Sequence, residues 1–412
     1  MRILLTTFGS YGDLFPYLAL GSELRRRGHE VTVATSAVYQ SKVEAVGLGF
    51  QSVRPDASLE DREMLAYVMD ARRGSERVVR YLASVVRESY ADTLEAASWA
   101  DLMVTHPITF ASVIAAQKLR KRWVSSVLAP VSFLSIYDPP VVAPAPWMRR
   151  LNFLGPNFAR LWIRAGKRQA LDWVRPVFDL RTELGLAPGA NPLFEGQHSP
   201  SLVLALFSQL LAAPQPDWPS HTAGTGFCFF GDGTLAAELR KFLESGPPPV
   251  VFTLGSSAVG TAGDFYRHSL DAIYRLGHRA VLLTGSHPQG LPETLPDHIL
   301  AVPYAPHDEL FARAAAIVHQ GGIGTTAQAL RAGRPMLVVP FAHDQFDNAE
   351  RVRRLEAAEV LPRSRYTARL AETRLRDLMT RPSYAQAAAK VGEKVRSEDG
   401  TGVAADAIER MR

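Results

Sequence analysis

The stretch Ile3-Leu4-Leu5-Thr6-Thr7-Phe8-Gly9-Ser10-Tyr11-Gly12-Asp13-Leu14-Phe15-Pro16 decides the fold class. Ile3 to Phe8 is apolar and β-prone, and a glycine turn follows it. Leu14, Tyr17, Leu18, Gly21 and Leu24 then share a helical face. Pro16 is placed in the first helical turn, where its missing N–H costs nothing. Gly28 stops the helix, and Glu30 to Thr35 forms a second strand. Strand, helix, strand is a βαβ unit, which requires a parallel sheet and a right-handed crossover.

Outward from that unit, Leu102–Thr105, Trp123–Leu128 and Ser201–Phe207 are strand candidates separated by helical stretches, and residues 55–98 read as helical with one charged face. Ala212-Ala213-Pro214-Gln215-Pro216-Asp217-Trp218-Pro219 has the stiffness of a passage that joins domains. A second strand series follows at Val250–Leu254, Ala280–Thr284, Ile299–Val302, Ala315–Val318 and Met336–Pro340. The predicted architecture is α/β. Two doubly wound parallel-sheet domains, 1–213 and 214–390, face each other across a cleft, and a terminal helix over 391–412 packs back on the first. Ligands in such sheets bind at the carboxyl ends of the strands.

Length and composition agree: 412 residues fill two domains of about 200. With 47% apolar and 21% charged residues, disorder, collagen and coiled coil are excluded. The single cysteine, Cys228, excludes a disulfide framework and a Cys-based zinc site, and its apolar setting reads as an inert buried thiol. A net charge of +5 does not demand nucleic acid. The N-terminal apolar run is too short for a signal peptide, and no run reaches the roughly 18 apolar residues of a membrane span. The expectation is a cytoplasmic chain, with membrane-surface contact left open.

His319-Gln320-Gly321-Gly322-Ile323-Gly324-Thr325-Thr326 is the strongest chemical signal. An apolar strand enters it and a helical run leaves it, so glycines let a ligand approach while unpaired helix N–H groups face it. That arrangement suits phosphate, although a plain strand-to-helix turn would look the same. No Gly-Lys-Ser/Thr follows, which excludes a Walker loop, and Gly9 to Asp13 fails the dinucleotide spacing. Asp344-Gln345 at the end of another strand offers a carboxylate beside a carboxamide, as hydroxyl-rich ligands require, or else an N-cap. Tyr304 sits on a proline-rigid loop suited to stacking a base.

Tyr304-Ala305-Pro306-His307, the loop 319–326, Ala332-Gly333-Arg334-Pro335 and Asp344-Gln345 together resemble the nucleotide-sugar signature of family 1 glycosyltransferases, whose fold is the two-domain GT-B type. The resemblance spans nearly the whole chain. It is nearest to the rhamnolipid-type rhamnosyltransferase branch, through Asp217-Trp218-Pro219, Leu254-Gly255-Ser256 and the run from His343 to Arg351. It implies that Tyr304 stacks on a pyrimidine and the Ala305 backbone pairs its edge. Gly322, Gly324, Thr325 and Ser256 hold the diphosphate, and Asp344 and Gln345 grip the sugar. The family's histidine aligns with either His319 or Gln320, and Gln328 stands where many members place a glutamate on the ribose.

Such enzymes use no metal and no cofactor beyond the UDP- or dTDP-sugar, and they invert the anomeric centre. Asp13 matches the bacterial members' catalytic carboxylate, with helix capping as its alternative. His106, ending the strand Leu102–Thr105, is a second candidate base; His29 and His268 read as structural. Between Pro139 and Leu171 there is no acidic residue, and aromatics mix with Arg and Lys. Residues 147–168 therefore read as a membrane-surface helix, an acceptor-lining segment, or a packed helix with a solvated face. The expected partners are a small-molecule donor and a hydrophobic acceptor, with no nucleic acid. The expected activity is transfer of a hexose to a hydroxyl of a lipid-like or aromatic acceptor. A dTDP-rhamnose-dependent enzyme acting on a hydroxy fatty acid, a non-catalytic sugar-nucleotide-binding partner protein and an epimerase are the competing readings.

Overall fold

The computed structural model describes residues 1–56, 61–231, 233–286 and 290–411. Residues 57–60 of the stretch expected to be helical lie outside them; the remainder holds helices Arg62–Val68, Gly74–Ser84 and Val86–Trp99. Among the described residues the chain forms two parallel sheets. The first has the order β3-β2-β1-β4-β5-β6-β7, built from β1 (Arg2–Thr6), β2 (Glu30–Thr35), β3 (Gly49–Ser52), β4 (Leu102–Thr105), β5 (Arg122–Val127), β6 (Val203–Ala205) and β7 (Thr222–Gly224). The second has the order β10-β9-β8-β11-β12-β13, from β8 (Val250–Thr253), β9 (Ala280–Leu283), β10 (Ile299–Val302), β11 (Ala316–His319), β12 (Met336–Val338) and β13 (Ala358–Val360). Ile3 pairs in register with Val31 on one side and Leu102 on the other. Central strands read as continuous apolar runs because helices cover both faces, which leaves Ile3, Leu4 and Leu5 without exposed surface.

In each sheet the strand order reverses beside the first strand, between β1 and β4 and between β8 and β11. A crevice opens at the carboxyl ends there, because the crossover helices leave to opposite faces. The loops that follow β1, β4, β8 and β11 are therefore the ones that meet across the cleft.

Three expectations need correction. Helix α1 (Tyr11–Arg26) begins earlier than expected, so Pro16 lies inside it and not in its first turn. The helix starts at Tyr11 because Ser10 and Asp13 close a reciprocal capping box, which outweighs the proline. The proline-rich passage does not join the lobes. Asp217 accepts hydrogen bonds from Ile136 N and Ser135 Oγ, both at 2.7 Å, and Trp218 stacks on Phe133 at 4.2 Å, so the passage packs against the first lobe. The chain still contributes β7 before leaving, so the first sheet extends past 213. At the far end, helix Pro382–Arg396 stays with the second lobe, where Gly392 closes on Gly333, and the return crossing comes after Arg396 rather than at 391.

The last helix, Gly400–Glu409, buries Ala404, Ala405, Ala407 and Ile408 in one cluster with Leu18, Leu20 and Val31 of the first lobe. Full burial of Ile408 alone contributes about 2 kcal/mol. Arg27 bonds Asp406 and, at 2.9 Å, Glu409, which also sits 2.9 Å from His29 Nε2. The two chain passages between the lobes touch: a Cβ on Gly400 would fall 2.4 Å from the Phe227 carbonyl oxygen. A separate tie runs through Arg351, buried and bonded to Asp347 at 2.7 Å and to Asp138 of the first lobe. Val141 N donates to Asp347 Oδ1 at 2.9 Å, so Asp347 is doubly satisfied. Removing Arg351 would strand a buried carboxylate, at a cost of roughly 3–5 kcal/mol. No helix among the described residues is long and apolar enough to cross a membrane.

Candidate active site

The turn after β1 is built around one carboxylate. Asp13 Oδ2 accepts from Ser10 N at 2.8 Å and from Ser10 Oγ at 3.2 Å, and Ser10 Oγ accepts from Gly12 N at 3.3 Å. Asp13 is thus the third residue of the capping box, with Ser10 as the cap. Gly9 makes this possible: its φ is +137°, and a Cβ there would lie 2.3 Å from Asp13 Oδ2. The other oxygen, Oδ1, faces His106 Nε2 at 3.4 Å. His106 follows β4 and is buried behind Asp13. Ile108 N donates to His106 Nδ1 at 3.4 Å, so the neutral ring carries its proton on Nε2, directed at the carboxylate.

The turn after β11 is built in the opposite way. Helix Ile323–Ala332 starts at Gly322, which has no side chain to cap it. The N–H groups of Ile323, Gly324 and Thr325 therefore have no partner within the helix and lie at its electropositive end. His319 is fully buried and holds this loop by accepting from Gly321 N through Nδ1 at 3.1 Å, and burial lowers its pKa to about 3. Gln320 is buried against Gly255 and Gly322, where the close approach leaves no room for a Cβ on Gly255. Neither side chain lines the cavity above the loop, and His319 Nε2 and Gln320 Oε1 are buried without a hydrogen-bond partner.

That cavity, about 430 Å³, lies between the lobes. Ser256, Thr284, Tyr304, Gly324, Thr325 and Gln328 form its polar side, and Phe15, Leu128, Leu206 and Phe230 form part of its apolar side. Tyr304 is 47% exposed on the rim, and the Gln328 carbonyl oxygen has no hydrogen-bond partner. The structure thus gathers Ser256, Tyr304, Gly324, Thr325 and Gln328 around one space. Ala305 and Gly322 support that wall without facing it. The lobes meet at glycine: a Cβ on Gly324 would lie 3.1 Å from Gly12 Cα. The first turns of the two helices are therefore in contact, and the Asp13 turn abuts the uncapped helix end. Cys228, in the wall, is inert because burial pushes its thiol up to about 12.

Asp344 and Gln345 begin helix Gln345–Arg354 beyond β12. Burial pushes the Asp344 carboxyl up to about 7; Asn348 Nδ2, donating to Oδ2 at 2.7 Å, opposes that shift, and the negative charge of Asp13 adds to it. Gln345 Oε1 accepts from Phe341 N at 2.8 Å and Ala342 N at 3.0 Å, so the carboxamide oxygen is committed to its own loop. His343 holds a left-handed φ of 54° against the start of helix Gly74–Ser84, with Ser75 Oγ 3.2 Å from its Nδ1.

Several wall residues were not singled out from sequence: Lys42, Thr284 and the pair Phe229-Phe230. Thr284 follows a strand already identified and was within reach of the strand-end rule. Lys42, whose Nζ lies 5.1 Å from the Tyr11 ring centroid, comes from a helix with no motif of its own.

Comparison with known proteins bears on this geometry. Residues 3–120 match the glycosyltransferase family 28 N-terminal domain, and residues 267–410 match the erythromycin biosynthesis protein CIII-like C-terminal domain. The chain is 33% identical over 415 residues to the O-mycaminosyltylonolide 6-deoxyallosyltransferase of Streptomyces fradiae, covering 97% of this chain and 95% of that protein. It is 29% identical to the sterol 3-beta-glucosyltransferase of Yarrowia lipolytica, over all of this chain but only 29% of that longer protein. Among solved structures, the glycotransferase of kitacinnamycin superposes with a TM-score of 0.75 at 20% identity, covering 99% of this chain and 98% of that one. The glycosyltransferase VinC in complex with dTDP superposes at 0.71 with 22% identity, over 99% of each chain.

Proposed function

This chain belongs to the GT-B family of nucleotide-sugar glycosyltransferases, and from that premise we propose that it moves a hexose from a UDP-sugar or dTDP-sugar to a hydroxyl of a small hydrophobic acceptor, inverting the anomeric centre without a metal. One observation carries the reading: an uncapped helix N-terminus at Ile323 touches, through Gly324 and Gly12, the turn that presents Asp13.

In this reading Asp13 takes the proton of the acceptor hydroxyl as its oxygen bonds to the anomeric carbon. The bond from that carbon to the diphosphate oxygen breaks on the opposite face. The departing nucleoside diphosphate keeps the electron pair, and the N–H groups of Ile323, Gly324 and Thr325 meet its charge, with Thr325 and Ser256 hydroxyls beside them. His106 donates from Nε2 to Asp13, which fixes the carboxylate and tempers the charge it loses on protonation. Tyr304 stacks on the pyrimidine, and Gln328 offers its unpaired carbonyl oxygen to the ribose. Asp344 bonds sugar hydroxyls.

The apolar wall around Phe15, Leu128, Leu206 and Phe230 supports a hydrophobic acceptor, as do the sterol and O-mycaminosyltylonolide in the relatives' names. A second reading, a dTDP-linked 6-deoxyhexose such as rhamnose as donor, draws on the deoxysugar in the Streptomyces relative's name. The rhamnolipid-like Asp217-Trp218-Pro219 adds nothing to it, since Asp217 and Trp218 are spent on packing the first lobe.

Calorimetry with UDP, dTDP and their glucose and rhamnose conjugates tests the proposal, followed by NMR of the product's anomeric configuration. Micromolar binding of one pyrimidine diphosphate and an inverted product are expected. Absence of heat with every one of them overturns the reading.

A further inference from the structure

Residues 146–169 present a surface that the cleft does not use, since none of them lines the interlobe cavity. Pro146–Leu154 is a 3₁₀ helix of nine residues with no buried side chain. At three residues per turn, Trp147, Arg150 and Phe153 stand on one edge. Trp147 is 60% and Phe153 80% exposed. Helix Gly155–Gln169 continues from there and buries Ala159 and Ile163. Leu161, Arg164 and Arg168, spaced i, i+3 and i+7, share its outward face, and Leu161 is 67% exposed.

Charge identifies the occupant. No Asp or Glu occurs between 139 and 171. Arg149 is paired with Glu350 at 2.8 Å and Lys167 with Glu195, but among the described residues Arg150, Arg164 and Arg168 form no ion pair. A two-fold contact between copies of this chain would set that acid-free face against itself, cation on cation. A ridge of Trp, Phe and Leu with guanidinium groups interleaved matches the boundary of a bilayer, where aromatic rings sit at headgroup depth and arginines reach phosphate.

We infer that residues 146–169 dock this protein on anionic lipid surfaces, with Trp147, Phe153 and Leu161 among the headgroups and Arg150, Arg164 and Arg168 on their phosphates. The ion pair between Arg149 and Glu350 joins this surface to helix Gln345–Arg354, which Asp344 precedes, so docking takes place beside the cleft. The inference does not depend on which reaction the cleft performs.

Co-sedimentation of the full chain with vesicles tests it, in low salt and without donor or acceptor. The protein should pellet with phosphatidylglycerol–phosphatidylcholine vesicles and stay in solution with phosphatidylcholine alone. The triple variant Arg150→Glu, Arg164→Glu, Arg168→Glu should lose at least tenfold in partitioning, because each cation near an anionic surface contributes about fivefold. The double variant Trp147→Ser, Phe153→Ser should weaken binding comparably with an unchanged melting temperature, since both side chains are exposed. Brominated acyl chains should quench fluorescence in the wild type and far less in Trp147→Phe. Failure to pellet overturns the inference, as does binding that survives both multiple variants. A concentration-dependent dimer that Phe153→Ser abolishes also overturns it, by assigning the ridge to a second copy.

Discussion

Two turns of this molecule occupy the same place in the same topology and use it in opposite ways. Each follows a strand at the switch point of a parallel sheet and begins a helix. After β1, the free N–H groups are consumed by side chains, Ser10 and Asp13 closing on each other. After β11, Gly322 supplies no cap and the N–H groups stay open. A carboxylate fixed by a capping box is a placed acceptor of protons; a helix end without a cap is a placed acceptor of negative charge. In the proposed reaction one residue at the cap decides which half of the displacement each turn serves, and the two turns touch where Gly12 meets Gly324.

The contrast can be broken at its strongest point by Asp13→Ala. Steady-state turnover should fall about 10²- to 10⁴-fold, the usual contribution of a positioned base, while calorimetry finds the affinity for nucleoside diphosphate within threefold of wild type. Unchanged turnover would leave Asp13 as a cap and nothing more. Gly322→Asp converts the second turn into a copy of the first. Gly322 already has φ −59° and ψ 143°, which any residue can adopt, but a Cβ there would fall 2.8 Å from Nε2 of the buried Gln320, so that amide must move aside. The new carboxylate should leave stability within about 1 kcal/mol of wild type, the added cap offsetting the displaced Gln320, while weakening diphosphate binding by about tenfold or more. A melting curve and a titration on one sample separate the two effects.

Asp344 sharpens the comparison through pH. Its pKa in the folded chain, about 7, lies above the ordinary value near 3.9, so the folded protein keeps a proton that the unfolded chain releases. The stabilisation is complete below about pH 4 and lost as pH rises through about 7. Asp344→Asn should match wild type at pH 4 and exceed its stability by up to about 4 kcal/mol at pH 8, read by denaturant unfolding. The smallest effect belongs to Ser10→Ala, which removes one cap side chain but leaves the Ser10 N–H on Asp13. About 1 kcal/mol, or a melting point lower by about 2–4 °C, is expected.

Much of this was legible before any coordinates. The strand–turn–helix units at 3–35 and 315–333 declare themselves because apolar runs, glycines and helical spacing agree at every level. Tyr304 and Thr325 stand just after strands, where parallel sheets bind ligands, whereas Ser256 and Gln328 enter through the family resemblance; all four line the interlobe cavity. Residues whose partners are distant in sequence were not legible. His319 and Gln345 have the chemistry of ligand contacts, and only the folded chain shows them holding backbone N–H groups of their own loops. Asp217 and Trp218 look like linker until Ser135, Ile136 and Phe133 arrive from another part of the chain. The start of α1 was misjudged because proline is a loud local signal, whereas a reciprocal cap depends on a pair of side chains.

The two backbone passages that meet at Phe227 and Gly400 have a mechanical consequence. Tethers set far apart would lock the lobes, and a single tether would let them tumble. Two backbone tethers side by side act as a door hinge and allow one swing once the side-chain ties through Arg351 and Arg149 let go. Along such an arc, points near the pin barely travel and the far rim sweeps widest. Because Gly400 has no side chain to keep the two passages apart, any larger residue there would push the pin off its line and misalign every turn of the door.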